Sequence, residues 1–166
     1  MKLDALGMKL AKLMDAETEL LNIICFEEEK LQKALRANNW NEMEVVINKL
    51  APVSERMETI EADRDSVYQS MKTKLGKKQS DGFYSVAAHM DGRTREDCLS
   101  GYRKLKIALL RMRGLTSGID QYVRTVGDTS RAVLNEVFPH RKGSIYSSTG
   151  STRPVQSDPM VLNRHL

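Results

Sequence analysis

From Met8 to Ala51 the chain has neither glycine nor proline, and from Val53 to Leu75 it again has none. These two residues interrupt helices most effectively, so their absence over such lengths leaves the backbone free to run as long helices. The apolar pattern agrees. Stepping alternately by four and three from Leu10 meets Met14, Glu17, Leu21, Ile24, Glu28, Leu31 and Leu35, six of eight positions apolar. A second seam, Met43, Val46, Leu50, Val53, Met57, Ile60, Arg64, Val67 and Met71, is apolar at eight of nine. That is the three-four spacing of a coiled coil. The spacing predicts a first helix from about Asp4 to Arg36 and a second from about Asn41 to Leu75, joined at Asn38 and Asn39. Asn tolerates the left-handed conformation that ends a helix. The arms of this antiparallel hairpin should be roughly 45–50 Å long at 1.5 Å per residue. Trp40 is expected to clamp the hairpin tip, and Pro52 to kink the second helix rather than break it. Glu17 and Glu28 in the first seam face either a wet edge or basic residues of a partner helix.

Residues 76–94 carry Gly76, Gly82 and Gly92 and read as loop, with room for one or two helical turns at Phe83 to Met90. Thr94 followed by Asp97 approximates a capping box, so a third helix is expected from there. Its seam runs Tyr102, Leu105, Leu109, Met112, Thr116, Ile119, Val123, Val126, Ser130, Val133 and Val137, apolar at nine of eleven. Pro139 ends it. From His140 to Leu166 the chain is rich in Ser, Thr, Gly, Pro and basic residues, with no period that buries a face. The expectation is an all-α fold: a long antiparallel helical hairpin plus a third long helix, a coiled-coil-like three-helix bundle in a domain spanning residues 1–138. A flexible, disordered tail spans 139–166.

Composition narrows the function. With nine aromatics among 166 residues and nine methionines, the chain suits packed helices better than a sandwich or barrel core. No apolar run is long enough to span a membrane. Met1 to Gly7 carries neither a long apolar stretch nor a small-residue cleavage site, so no signal peptide is expected. Cys25 and Cys98 stand far apart with no CxxC, the usage of reduced, buried thiols in a cytoplasmic protein. His89, His140 and His165 have no metal-ligand spacing. Glu27, Glu28 and Glu29 point in several directions on a helix and read as a solvated face. Gly114 to Gly118 lies inside a helical pattern, not after a strand, so it is no phosphate loop. The sequence calls for no enzyme, no metal and no cofactor.

Charge is polarised. Residues 1–71 hold nine Lys/Arg against fourteen Asp/Glu, a net of −5. Residues 72–138 carry +6 and residues 139–166 carry +3. Complementary packing of an acidic hairpin on a basic helix is the simplest meaning. Nucleic acid is the alternative, through Lys72, Lys74, Lys77 and Lys78 and through Arg103, Lys104, Lys106, Arg111 and Arg113. Aromatic platforms are scarce among them, which favours a solvated basic face. The third helix has apolar residues off its seam as well: Ile107, Leu110, Leu115 and Tyr122. Either all of this packs into one bundle, or one stripe is left over. A stripe along five turns would exceed the few hundred Å² that monomers usually expose. It would pair with a second copy of the chain, as in a structural coiled-coil adaptor or self-assembling subunit, or wait for a partner helix.

This pattern resembles the FlgN-type flagellar export chaperones along nearly the whole chain. Leu35-Arg-Ala-Asn-Asn-Trp40-Asn-Glu-Met-Glu44 is similar to the family's helix turn, and Glu61-Ala-Asp-Arg64 to the charged end of its hairpin. The exit Pro139-His-Arg-Lys-Gly-Ser-Ile-Tyr146-Ser-Ser-Thr-Gly150 is similar to its "Tyr…Gly" element. The stretch Arg111 to Asp120 departs from the Asn-containing, Leu-rich steps of the family. The resemblance implies a cytoplasmic chaperone without ATPase activity for hook-associated (hook-filament junction) proteins. It would bind their C-terminal helical segment, prevent premature assembly and deliver them to the flagellar type III export apparatus. It implies partner contacts at Leu105, Leu109, Met112, Ile119, Tyr122, Val123 and Val126, with Ile145 and Tyr146 in the tail. It implies neither nucleic acid nor membrane insertion, and leaves homodimerisation open.

Overall fold

The structure, a computed structural model, describes residues 3–78 and 80–137. Those residues form four helices: α1 (Leu3–Arg36), α2 (Trp40–Lys74), α3 (Phe83–Ala87) and α4 (Gly92–Val137). They fall into two compact units, one through Gly118 and one from Ile119 onward, with α4 contributing to both. The predicted tail and its apolar stretch Pro159 to Leu162 lie outside the described residues, as do Ile145, Tyr146, His140 and His165.

Both long hairpin helices stop in the same way. Asn38 takes a left-handed backbone (φ 52°), its N–H bonding Leu35 O at 3.2 Å while Asn39 N–H reaches back to Ala34 O at 2.9 Å. Gly76 (φ 60°) repeats the motif at the end of α2, with Lys77 N–H on Lys72 O at 3.0 Å. These paired back-bonds satisfy carbonyls that the last helical turn would leave open. Asn39 then starts α2: its side-chain oxygen accepts from Glu42 N–H at 3.2 Å, and its amide donates to Glu42 Oε2 at 3.4 Å. A three-residue turn is thus closed and reopened by adjacent asparagines. α2 runs through Pro52. Trp40 does not clamp the tip as expected; it is 75% exposed, because the asparagine bonds already close the turn.

α4 begins two residues earlier than the Thr94 box predicts. Asp91 is the cap, its Oδ1 accepting from Thr94 N–H at 2.8 Å. The Thr94 side-chain hydroxyl, together with that backbone bond, lowers the Asp91 carboxyl from its ordinary value. Thr94 is buried instead, its methyl turned toward Gly7 of α1.

Within the first unit α1 and α4 run parallel. Gly7 sits against Thr94 and Cys98, Met14 against Gly101, and Glu28 against Thr116, a constant offset of about 87–88 residues at most of these points. The core lies toward the open end of the hairpin: Leu6, Leu10, Met14 and Leu21 from α1, Val67 and Met71 from α2, and Cys98, Leu105 and Ala108 from α4. Val86, Ala87 and Met90 cap it from the segment between α2 and α4. Two ion pairs join the acidic hairpin to α4 as the charge polarity predicts, Arg111 with Glu29 at 2.7 Å and Lys104 with Asp15 at 3.9 Å; a third, Arg64 with Glu17, lies within the hairpin.

Two glycines mark the closest helix approaches, and they respond differently to a methyl group. A Cβ on Gly7 would stand 2.5 Å from the Thr94 Cγ2, on a buried, β-branched side chain with little freedom to turn away. A Cβ on Gly101 would meet the flexible Met14 side chain at 3.4 Å, an ordinary contact. Alanine gains roughly 1 kcal/mol over glycine in a helix, while overpacking costs about 1–3 kcal/mol. Gly7→Ala should therefore lower stability by about 1–2 kcal/mol and Gly101→Ala should hold or raise it by about 0.5–1 kcal/mol. Urea denaturation of the two variants checks the opposite signs.

Candidate functional site

Two apolar surfaces are available, one in each unit. In the first, α1, α2, α3 and α4 enclose a cleft of about 410 Å³. Leu10 and Met14 form its floor with Leu105, all buried in the core. One wall is aromatic. The Phe83 ring lies flat on Tyr102, centroids 4.2 Å apart and 11° from parallel, and Tyr68 is tilted beside Phe83 at 6.1 Å. Tyr84 meets Tyr102 edge-on at 5.8 Å, outside the cleft lining. Such stacked and edge-to-face rings make a stiff surface. α4, which carries Tyr102, supplies the rest of the lining with Leu109 and Leu110, and with the exposed Lys106 and Arg113 at the rim. Arg64 enters from α2 but is engaged: its Nε donates to Glu17 Oε2 at 2.5 Å, and Glu61 approaches at 3.9 Å.

The sequence seam had placed Tyr102, Leu105 and Leu109 on one helix face, and the cleft brings these three together. It missed Tyr68 and Phe83, which enter from α2 and α3. Their signal lay in the small aromatic inventory: four of nine rings, Tyr68, Phe83, Tyr84 and Tyr102, meet at one place. Met112 packs, half-buried, against the core.

The second unit is described by the helix from Ile119 to Val137. Ile119, Val123, Val126, Val133 and Val137 follow three-four spacing and share one face, with Leu134 beside it. Val123 and Val126 are 52% and 45% exposed, and Val133, Leu134 and Val137 are exposed too. Ile119 and Tyr122 are half-buried. Arg124–Asp120 and Arg131–Asp128 pairs occupy the other side. The result is an amphipathic helix with a solvent-facing apolar stripe.

Buried charge lies elsewhere, on α1. Glu27 is buried and Glu28 half-buried, against the expectation of a solvated acidic run, and at Glu28 it is Thr116 of α4 that reaches the carboxyl. Thr116 Oγ1 donates to Glu28 Oε1 at 2.7 Å, and Lys30 pairs with Glu27 Oε1 at 2.7 Å. Their Oε2 atoms are buried without a hydrogen-bond partner. Burial raises the Glu28 carboxyl above its ordinary value, with the Thr116 bond pulling the other way.

Cys25 and Cys98 are free and buried, as the cysteine usage predicts. Burial pushes the Cys98 thiol up to about 11 and raises Cys25 as well, so neither is a nucleophile near neutral pH. Among the described residues no cluster of His, Cys, Asp or Glu is arranged to hold a metal ion. No described helix is long and apolar enough to cross a membrane. Of the cations considered for nucleic acid, Lys72 is buried over the Tyr68 ring at 4.8 Å, and Lys104 and Arg111 pair with acids of α1.

Comparison with curated proteins returns no match, and comparison with solved structures returns none either. A family model does match, described as FlgN protein, over residues 1–154 of the 166. The match takes in the hairpin, the cleft and the exposed stripe alike, and the chain accordingly belongs to the FlgN family of flagellar chaperones.

Proposed function

We propose that this protein is a cytoplasmic flagellar type III export chaperone that holds the C-terminal helical segment of a hook-associated protein. The observation that carries the reading is the exposed face of the 119–137 helix, where Val123, Val126, Val133, Leu134 and Val137 stand in solvent at helical spacing. A second amphipathic helix laid along that stripe would bury its own assembly face at the same time. Covering that face keeps the client from polymerising before export. The client segment must be ordered on binding, which offsets part of the burial energy and leaves it removable by the export apparatus.

Residues 1–138 act in this reading as the helical chaperone domain, and 139–166 as a tail that adds Ile145 and Tyr146 to the contacts. The first unit supplies Leu105, Leu109 and Met112, of which Leu105 contributes mainly by holding the fold together. Neither a cofactor nor catalysis has a part in it.

Calorimetry of the full chain with the C-terminal peptide of a hook-associated protein tests the proposal. The expected result is a one-to-one complex whose binding enthalpy becomes more negative with temperature, the mark of apolar burial. A chain that stays monomeric and gives no heat with any such peptide would overturn it. A concentration-stable homo-oligomer that the peptides leave intact would favour a self-assembling subunit instead, since the same stripe can seat a second copy.

A further inference from the structure

We infer that the cleft of the first unit is a separate docking site for an acidic amphipathic helix of a partner polypeptide. Its floor is made by Leu10, Met14 and Leu105, all buried among core neighbours, which leaves them little freedom to move into the cleft and fill it. The stacked pair Phe83 and Tyr102 fixes one wall. Leu110, about two turns further along α4 in the same lining, is 60% exposed, a large apolar side chain without a cover.

Charge identifies the occupant. Lys106 and Arg113 lie seven residues apart on α4, about 10 Å along the axis, on the same side of the helix and at the cleft rim. Among the described residues neither has an ion-pair partner, whereas Lys104 and Arg111 on the same helix reach acids of α1. Arg64, the third cation of the lining, is neutralised by Glu17 and Glu61. The cleft therefore offers an apolar trough edged by two positive charges two helical turns apart. A helix with leucine-like residues at i, i+3 and i+7 and carboxylates two turns apart on its flank matches both features. The chain's own residues 139–166 do not match, because they hold four Lys/Arg against one Asp.

The site is independent of the valine stripe at 119–137, and the test keeps the two apart. The probe is a fluorescein-labelled synthetic helix with leucines at that spacing and glutamates on its flanks, compared with the same peptide carrying lysines. Fluorescence anisotropy with the full chain should show the glutamate peptide binding about tenfold or more tightly than the lysine peptide, with affinity falling as salt rises. Lys106→Glu with Arg113→Glu should reverse the preference; both side chains are exposed, so circular dichroism should show the fold unchanged. Val123→Asp with Val126→Asp should leave the probe's affinity untouched, whatever becomes of the hook-associated client. Equal binding of the two peptides, or a preference blind to the charge reversal, would overturn the inference. So would a tightening of about tenfold on truncation after Val137, which would assign the cleft to the chain's own tail. A homodimer dissolved by the charge reversal would overturn it too, assigning the cleft to a second copy.

Discussion

Arg64→Ala will destabilise the first unit by about 3 kcal/mol at pH 8, and by markedly less at pH 5. Glu17 is buried in the α1 seam, and among the described residues the Arg64 guanidinium is the cation paired with it. Even with that partner, burial raises the Glu17 carboxyl above its ordinary value; the charge and hydrogen bond of Arg64 oppose the rise, and the nearby Glu61 carboxylate adds to it. Removing Arg64 deletes both opposing influences and leaves burial and Glu61 in place, so the carboxyl rises further. A carboxyl raised in the folded state favours folding fully only below its unfolded value, and that contribution is lost as pH rises through the folded value. At pH 8 the variant must hold a bare carboxylate in the core or take up a proton against the bulk, and both are costly. At pH 5 the proton is more readily supplied, and the penalty shrinks. Urea titrations at the two pH values read the difference directly. Glu17→Leu added to Arg64→Ala should restore most of the loss, since a buried ion pair replaced on both sides by apolar groups is often neutral. A penalty equal at both pH values would show that Arg64 acts through the packing of its alkyl stem.

The same pair shows where sequence reading reaches and where it stops. Glu17 and Glu28 were the two charges in the α1 seam, open to either a wet edge or a basic partner, and Arg64, the one charge in the α2 seam, is the partner Glu17 takes. The helices themselves were legible for a local reason: three-four periodicity, two asparagines at the turn and the lack of glycine act within a few residues of one another. The start of α4 was misplaced for an equally local reason. Asp91 and Thr94 are both competent caps three residues apart, and Thr94 is withdrawn from that role by its burial against Gly7, a contact made 87 residues back in the chain. The half-burial of Glu28 and the meeting of Tyr68, Phe83 and Tyr102 are also non-local. They depend on which face of α1 receives α4 and on where the 76–91 segment folds back, and neither leaves a periodic trace. The α4 seam is the sharpest instance. Its pattern is uniform from Tyr102 to Val137, yet Leu105 is 5% exposed and Val123 is 52% exposed. Periodicity reports that a face is apolar and is silent on whether anything covers it.

That difference along one seam gives the second large effect. Val123→Asp with Val126→Asp should weaken binding of the hook-associated C-terminal segment by about a hundredfold, as the loss of central apolar anchors typically does. It should change the stability of the free chain by less than about 0.5 kcal/mol, because both side chains already stand in solvent. Neither position is in the last turn of α4, so the new carboxylates do not meet the negative end of the helix dipole. Valine and aspartate also differ little in helix propensity, so the helix itself should persist. Leu105→Ala is the contrasting variant. Its side chain belongs to the core with Leu10, Met14 and Ala108, and its truncation should cost about 2–5 kcal/mol of stability. A fall in affinity with Leu105→Ala should then follow the loss of folded protein, and recover where temperature is lowered enough to keep the chain folded. The double aspartate variant should stay folded and fail to bind at every temperature. If instead the aspartates lower the unfolding midpoint and leave the client bound, the valine stripe is covered within the chain, and the client must be held elsewhere.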